Sequence, residues 1–282
     1  MNEQELSINV DLHCHSIMSD GVLSPADVAA RAHANGVQLW ALTDHDILSG
    51  LDEASTAARA LGMGFVTGVE ISVTWASQTV HIVGLDIDPQ DAQLQDGLAY
   101  IRTGRLVRAR LMADKLGAMG ISGSYEGALP YAANPNSISR THFARFLVAQ
   151  GHCKSMKEVF QKYLGDGKPA NVPVQWATLD QAVSWIIGAG GHAVIAHPGR
   201  YDYTPMEFDA LFERFKELGG VGIEVVTGSH APHQYAEYAG VARRYGFLAS
   251  SGSDFHSPDE SRLDLGALPA LPSGLAPIWE LF

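Results

Sequence analysis

About seven short apolar runs alternate with helix-like stretches along this 282-residue chain, and side chains able to ligate a metal recur at their ends. No other feature limits the fold as much. Strands alternating with helices call for a layered α/β arrangement. A closed barrel gathers all the strand ends at one mouth, whereas an open doubly wound sheet does not. The expected architecture is a (β/α) barrel, with the open sheet as the alternative.

In the first run Ile8, Val10 and Leu12 alternate with Asn9, Asp11 and His13, the period of a half-buried strand. That alternation places Asp11, His13 and His15 on one face and Leu12 and Cys14 on the other. Ser24-Pro25 then reads as a helix start and Asn35-Gly36 as its stop. The run 37–43 leads into Asp44-His45-Asp46, and a helix follows from about Gly50 to Ala60. The run 64–71 carries Glu70, and 79–86 carries His81 near its start. From Thr178 the rhythm resumes: a helix over 179–189, a strand ending in His197, a helix over 205–218, a strand over 221–226 and a helix over 233–245. The last run, 247–256, places Asp254 and His256 on one face.

The middle departs from this rhythm. Helical spacing over 92–119, 139–149 and 156–164, with a Gly-, Pro- and Asn-containing loop over 122–136, reads as a helical insertion. Residues 1–91 and 165–282 are then the barrel, and 92–164 an insertion covering its mouth.

The candidates for chemistry are His13, His15, Asp20, His45, Glu70, His81, His142, His197, Asp254 and His256. A single histidine is usually structural, and His33, His152, His192, His230 and His233 are read that way. Many at the strand ends of one barrel point to bound metal. Imidazole with carboxylate and no thiolate suits Mn²⁺, Fe²⁺ or Zn²⁺ rather than Cu(I) or an iron–sulfur cluster. Cys14 and Cys153 form no disulfide framework, so the cytoplasm is the expected compartment. The start, Met1 to Glu5, lacks the apolar core of a secretory signal, and no run is long enough to span a membrane. A net charge of -12 argues against a long nucleic-acid duplex as partner.

The blocks D-L-H-C-H-S-x(3)-D-G, T-D-H-D, G-x-E-I-S, A-H-P and G-S-D-F-H, in that order, resemble the signature of the PHP (polymerase and histidinol phosphatase) superfamily. The insertion segment Ser139 to Ala144 is similar to the branch containing 3′,5′-nucleoside bisphosphate phosphatases, members of which also act as 5′-to-3′ exoribonucleases on short 5′-phosphorylated RNA. The resemblance implies a distorted (β/α)7 TIM-like barrel holding two or three divalent ions, Mn²⁺ first, with Fe²⁺ or Zn²⁺ as alternatives. It assigns His13, His15, Glu70 and Asp254 to one ion. Glu70 bridges to a second with His81 and His142, and Asp20, His45 and His256 hold a third. Catalytic roles fall to Asp254, His197 and Arg140, and substrate contacts to Arg140, His197, Lys168 and Arg200. A guanidinium at Arg140 suits phosphate. Asp11 and Asp44 are expected to orient ligand imidazoles, and Trp75 and Trp176 to be core. The expected reaction is hydrolysis of a phosphate ester in a small nucleotide or a short 5′-phosphorylated RNA, with no membrane partner. The alternatives are a phosphatase for another metabolite such as histidinol phosphate, and a non-catalytic metal-binding module.

Overall fold

One strand of the barrel is reversed, and the reversal decides where His81 lies. The computed structural model describes residues 8–282, so the Met1 to Glu5 segment lies outside the described residues. Strands β1 (Val10–Asp11), β2 (Leu39–Leu42), β3 (Gly64–Trp75), β4 (Gln78–Leu85), β5 (His192–Ile195), β6 (Gly222–Thr227) and β7 (Leu248–Gly252) form one sheet in chain order. Neighbours are parallel except at β4, which is antiparallel to both β3 and β5. Only Ala76 and Ser77, at φ 43° and 66°, separate β3 from β4. A two-residue link in that conformation makes a hairpin and is far too short for a parallel crossover. The register pairs Ser72 with His81, so the start of β4 lies at the mouth with the ends of its parallel neighbours. The sheet curls until the Leu12 N–H donates to the Ser251 carbonyl at 2.9 Å and the Asp254 N–H to the His13 carbonyl at 2.8 Å. The result is the expected TIM-like barrel, nearly closed.

Inward-facing Val10, Leu12, Ala41, Val66, Val83, Leu85, Val194 and Ala196 form one apolar cluster that fills the barrel below its mouth. Outward residues pack beneath the helices. Trp40 and Leu42 meet α1 (Pro25–Ala34) and α2 (Leu51–Ala60). Ile82, Ile195 and Ile223 lie in a cluster with residues of α7 (Leu179–Gly188), α8 (Pro205–Glu217) and α9 (Pro232–Tyr245). The expected start of α1 is present: the Ser24 Oγ accepts the Asp27 N–H at 3.1 Å, with Pro25 in the first turn.

The chain between β4 and α7 holds α3 (Ala92–Ala118), α4 (Ser124–Ala128), α5 (Arg140–Ala149) and α6 (Met156–Val159). Leu94, Leu98 and Ile101 of α3 pack with the barrel cluster. Ala109, Met112 and Leu116 of the same helix pack with Phe143, Leu147, Val159, Ala170 and Val172 in a second core. The change from one core to the other therefore falls within α3. Two details differ from expectation. The 122–136 segment contains α4, seated so closely that a Cβ on Gly127 would come within 2.2 Å of the Phe146 ring. Residues 160–164 widen into a π turn rather than continuing α6. Both pieces are too short to show a periodicity. Among the described residues, no helix is long and apolar enough to cross a membrane.

Candidate metal centre

Glu70, fully buried on β3, is the hub. Its Oε1 lies 3.3 Å from His13 Nε2, 2.8 Å from His81 Nδ1 and 2.9 Å from His197 Nε2. Its Oε2 lies 3.3 Å from His15 Nε2 and 2.8 Å from His45 Nδ1. Asp254 Oδ1 is 3.3 Å from His15 Nε2 and 3.7 Å from His13 Nε2, and Asp20 Oδ1 is 3.4 Å from His256 Nε2. Four groups of donor atoms converge: His15, Asp20, His45 and His256; His13, His15 and Asp254; His13, Glu70 and His197; His45, Glu70 and His81. Donors sharing one ion sit roughly 3 Å apart at ordinary ligand distances, so these spacings fit divalent ions.

The unsatisfied atoms test that fit. Among the described residues Asp20 Oδ1, His45 Nδ1, Glu70 Oε2, His142 Nε2 and His197 Nδ1 are buried without a hydrogen-bond partner. The His45 and Glu70 atoms are 2.8 Å apart yet not aligned as donor and acceptor. Buried polar atoms are rarely left so, because desolvation without a partner is costly. Cations among the donors would satisfy the Asp20, His45 and Glu70 atoms. The carboxylates are held in the ionised form that a cation needs. Burial pushes Glu70, Asp254 and Asp20 up, but the surrounding imidazoles hold all three well below the usual carboxylate range. Burial pushes His15 and His197 down to about 3, the neutral form that ligates metal, whereas at His13, His45 and His256 burial is outweighed by neighbouring carboxylates, which raise all three.

A supporting layer aims these donors. Glu224 on β6 takes the Nδ1 of His13 at 2.7 Å and the backbone N–H of His197 at 2.5 Å. Asp254 Oδ2 accepts from Ser229 Oγ at 2.6 Å and from Arg200 at 3.2 Å, leaving Oδ1 for the imidazoles. Asp46, beside His45, accepts from the Ser72 N–H at 2.7 Å and is ion-paired to Arg105 of α3. Asp46, His197 and Asp254 take φ values of 54°, 29° and 55°. Such backbone strain in non-glycine residues concentrates at functional sites.

Several residues stand differently from the sequence expectation. His142 joins none of the four groups: its Nδ1 accepts the Ser139 N–H at 2.9 Å in the capping box of α5, and its buried Nε2 is unpaired. His197 stands among the donors instead. Asp11 bonds the Ser253 and Gly266 N–H groups, and Asp44 bonds Ser16 and Ser19, the Ser19 Oγ lying 3.5 Å from His15 Nδ1, so Asp11 fixes loops and Asp44 reaches an imidazole only through Ser19. The alternation of the first strand stops at Leu12, which packs inside the barrel, while Cys14 packs outside it against Trp40. Lys168 is exposed and outside the wall of the mouth cavity.

That cavity, about 420 Å³, opens onto Asp20, His45, His81, Asp254 and His256. Arg105, Arg108, Arg140 and Arg200 also line it, as do Trp176, Phe160 and Met156. Arg140 pairs with the exposed Asp166 at 3.0 Å. Trp176 is buried, as expected, and donates from Nε1 to Thr79 at 3.1 Å. Sequence reasoning missed Glu224, Ser229, Arg105 and Arg108. Glu224 carried one signal, a carboxylate within an apolar strand run, and the arginines of α3 carried none that set them apart from a solvated helix.

A family model described as the PHP domain matches residues 11–231. The chain is 53% identical to a 3′,5′-nucleoside bisphosphate phosphatase of Chromobacterium violaceum, over 96% of this chain and 95% of that one. It is 40% identical to a 5′-3′ exoribonuclease of Haemophilus influenzae, over 96% and 98%. A solved structure from Chromobacterium violaceum, described as an amidohydrolase with bound sulfate and no metal, superposes with a TM-score of 0.94 at 52% identity, covering 97% of this chain and 95% of that one.

Proposed function

The chain belongs to the PHP domain family, and on that footing we propose that it is a divalent-metal-dependent phosphoesterase that removes the 3′-phosphate of nucleoside 3′,5′-bisphosphates such as pAp, leaving the nucleoside 5′-monophosphate and phosphate. One observation carries the reading: a single cavity is lined both by residues of the donor cluster and by guanidinium groups. A bisphosphate has two anionic ends to match. Arg108 is the telling group. Its Nε donates to the Val172 carbonyl at 3.1 Å, and it has no carboxylate partner among the described residues. Burial and the nearby Arg140 push its pKa down to about 9. A charge held this way is stabilised by an arriving phosphate.

Bound divalent ions would supply activated water and neutralise charge on the phosphoryl oxygens. Two or three ions, Mn²⁺ first, would be held by His13, His15, Asp20, His45, Glu70, His81, His197, Asp254 and His256. The protein's own contribution is placement. Ser229 and Arg200 hold Asp254 by one oxygen. Arg200, half exposed and touching Asp254, is placed to meet the phosphate being cleaved. Arg108 and Arg140 receive the other phosphate, and Trp176, Phe160 and Met156 give the nucleoside an apolar wall. Residues 92–164 cap the mouth and limit entry to small nucleotides and RNA ends. The cytoplasm suits such a substrate. Hydrolysis of short 5′-phosphorylated RNA is a second activity, suggested by the exoribonuclease relative.

Phosphate release after Mn²⁺ reconstitution, compared for pAp, histidinol phosphate and a 5′-phosphorylated oligoribonucleotide, tests the proposal. Preference for pAp is expected. Preference for histidinol phosphate, or no release from any of them, would reject it.

A further inference from the structure

The ladder between β4 and β5 opens at the mouth, and a tyrosine hydroxyl holds it open. The two strands pair residue for residue, from Leu85 with His192 up to Ile82 with Ile195. The next pair in register is His81 with Ala196. A hydrogen-bonded pair in an antiparallel ladder exchanges two bonds, each from an N–H to the opposite carbonyl. One is present: the Ala196 N–H donates to the His81 carbonyl at 3.1 Å. In place of the other stands the Tyr201 hydroxyl. It accepts the His81 N–H at 2.9 Å and donates to the Ala196 carbonyl at 2.8 Å. A phenol keeps its proton at neutral pH and can do both at once.

This wedge sits between two donors of the metal centre. His81 lies near the start of β4 and His197 follows Ala196, and both approach the same Glu70 oxygen, at 2.8 and 2.9 Å. Nδ1 of His81 and Nε2 of His197 are 3.3 Å apart. A direct bond from the His81 N–H to the Ala196 carbonyl would draw the two backbones together and change that spacing. The turn after His197 delivers the wedge. The Arg200 N–H donates to the His197 carbonyl at 3.0 Å and the Tyr201 N–H to the Pro198 carbonyl at 3.2 Å, which folds Tyr201 back over the strand end. Its ring meets the His197 ring edge-on, with centroids 5.7 Å apart. Tyr201 is not part of the wall of the mouth cavity, so it is not placed to touch a nucleotide there. We propose that the Tyr201 hydroxyl is a positioning group that sets the spread of His81 and His197 about Glu70, and through it the affinity and geometry of the bound metal. The assignment rests on the metal-dependent reading above and deepens it.

Tyr201→Phe deletes the hydroxyl and keeps the ring against His197. Tyr203→Phe is the control, deleting a nearby hydroxyl that donates to the Trp75 carbonyl at 2.7 Å and bonds no donor residue. Mn²⁺ titration of the metal-free proteins, visible spectra after Co²⁺ substitution, and pAp kinetics at saturating Mn²⁺ are measured for each. Tyr201→Phe should lose about ten- to a hundredfold in Mn²⁺ affinity, as loss of an outer partner of ligating histidines typically does. Its Co²⁺ bands should shift, because they follow ligand geometry. Its kcat should fall about tenfold while KM for pAp stays within about twofold. Tyr203→Phe should match the wild type in all three. Wild-type Mn²⁺ affinity or an unshifted Co²⁺ spectrum in Tyr201→Phe overturns the proposal, as does a change in KM with kcat intact. Equal losses in the two variants, or a Tyr201→Phe protein unfolded by circular dichroism, overturn it too, because the hydroxyl would then serve the fold alone. Failure of the wild type to hydrolyse pAp, with Mn²⁺ affinity still lost in Tyr201→Phe, rejects the phosphatase reading and leaves the positioning role in place.

Discussion

Glu224 Oε1 lies 2.7 Å from His13 Nδ1, and this contact decides which nitrogen of His13 faces the donor cluster. A carboxylate can only accept, so Nδ1 carries the proton and Nε2 is left with its lone pair toward Glu70 and Asp254. The other Glu224 oxygen holds the strained His197 turn through its backbone N–H. One side chain thus sets the orientation of two candidate ligands.

Glu224→Gln should therefore weaken metal binding without touching a ligand. Outer partners of ligating histidines typically contribute about 10- to 100-fold in metal affinity. Mn²⁺ titration of the metal-free protein should show that loss. Unchanged affinity in a folded variant would remove Glu224 from the site.

Metal retention and substrate grip should separate in two other variants. Asp254→Ala removes an anionic donor beside His13 and His15. It should lose bound metal and at least about a thousandfold in kcat. Arg108→Ala leaves every donor intact and removes a charge-assisted contact worth roughly 1.5–3 kcal/mol. With pAp, its kcat/KM should fall about ten- to a few hundredfold at unchanged metal content, with Arg140→Ala changing in the same direction. Elemental analysis and kinetics on the same preparations make the comparison, and the wild type should hold two or three ions. Metal loss from Arg108→Ala, or near-normal kcat in Asp254→Ala, would contradict these roles.

Asp46 ties the barrel to α3. Its carboxylate binds the Arg105 guanidinium, and its carbonyl accepts from Arg102 at 2.7 Å. Both side chains of the ion pair are nearly inaccessible to solvent. Asp46→Ala would strand the Arg105 charge, and breaking a buried pair costs about 3–5 kcal/mol. Urea unfolding should show that loss, largely absent when Arg105→Met is added. Equal instability of the double variant would mean the pair is not what Asp46 contributes.

The donor residues were legible in the sequence because several fall close together in each motif, with spacing that places them together once strands form. His13 and His15, and Asp254 and His256, are of this kind. The reversal of β4 was legible in principle from the two-residue link at Ala76-Ser77, which no parallel crossover can span. His142 shows what a motif position leaves open: it does not say which way a ring turns, and here Nδ1 caps α5 while Nε2 stays buried and unpaired among the described residues. Arg105, Arg108 and Ser229 were illegible for a different reason. Each reaches the site only through the packing of its segment against the barrel, and no local pattern records where a helix docks.

His230 should give stability a pH dependence that does not arise from a donor residue. It is fully buried, and its Nε2 accepts the Gly199 N–H at 3.0 Å, so Nε2 is unprotonated and Nδ1–H faces the Val225 carbonyl at 3.2 Å. A proton on Nε2 would set two donors against each other beside the turn that carries His197. Burial lowers the pKa of His230 from 6.5 to about 4. Because the folded value is the lower one, the unfolded chain binds the proton more readily. The contribution is complete above pH 6.5 and is lost as pH falls through 4. Its full size is about 3 kcal/mol at most, since each tenfold change in proton affinity is worth roughly 1.4 kcal/mol. His230→Gln keeps an acceptor for Gly199 and cannot take up the proton. Urea unfolding of both proteins at pH 7.5, 6.0 and 5.0 should show the wild-type advantage shrinking steadily toward acid, with the difference between the two cancelling the titration of the shared metal-site residues. A difference that stays constant over this range would show that His230 does not titrate between the folded and unfolded states as its hydrogen bonds require.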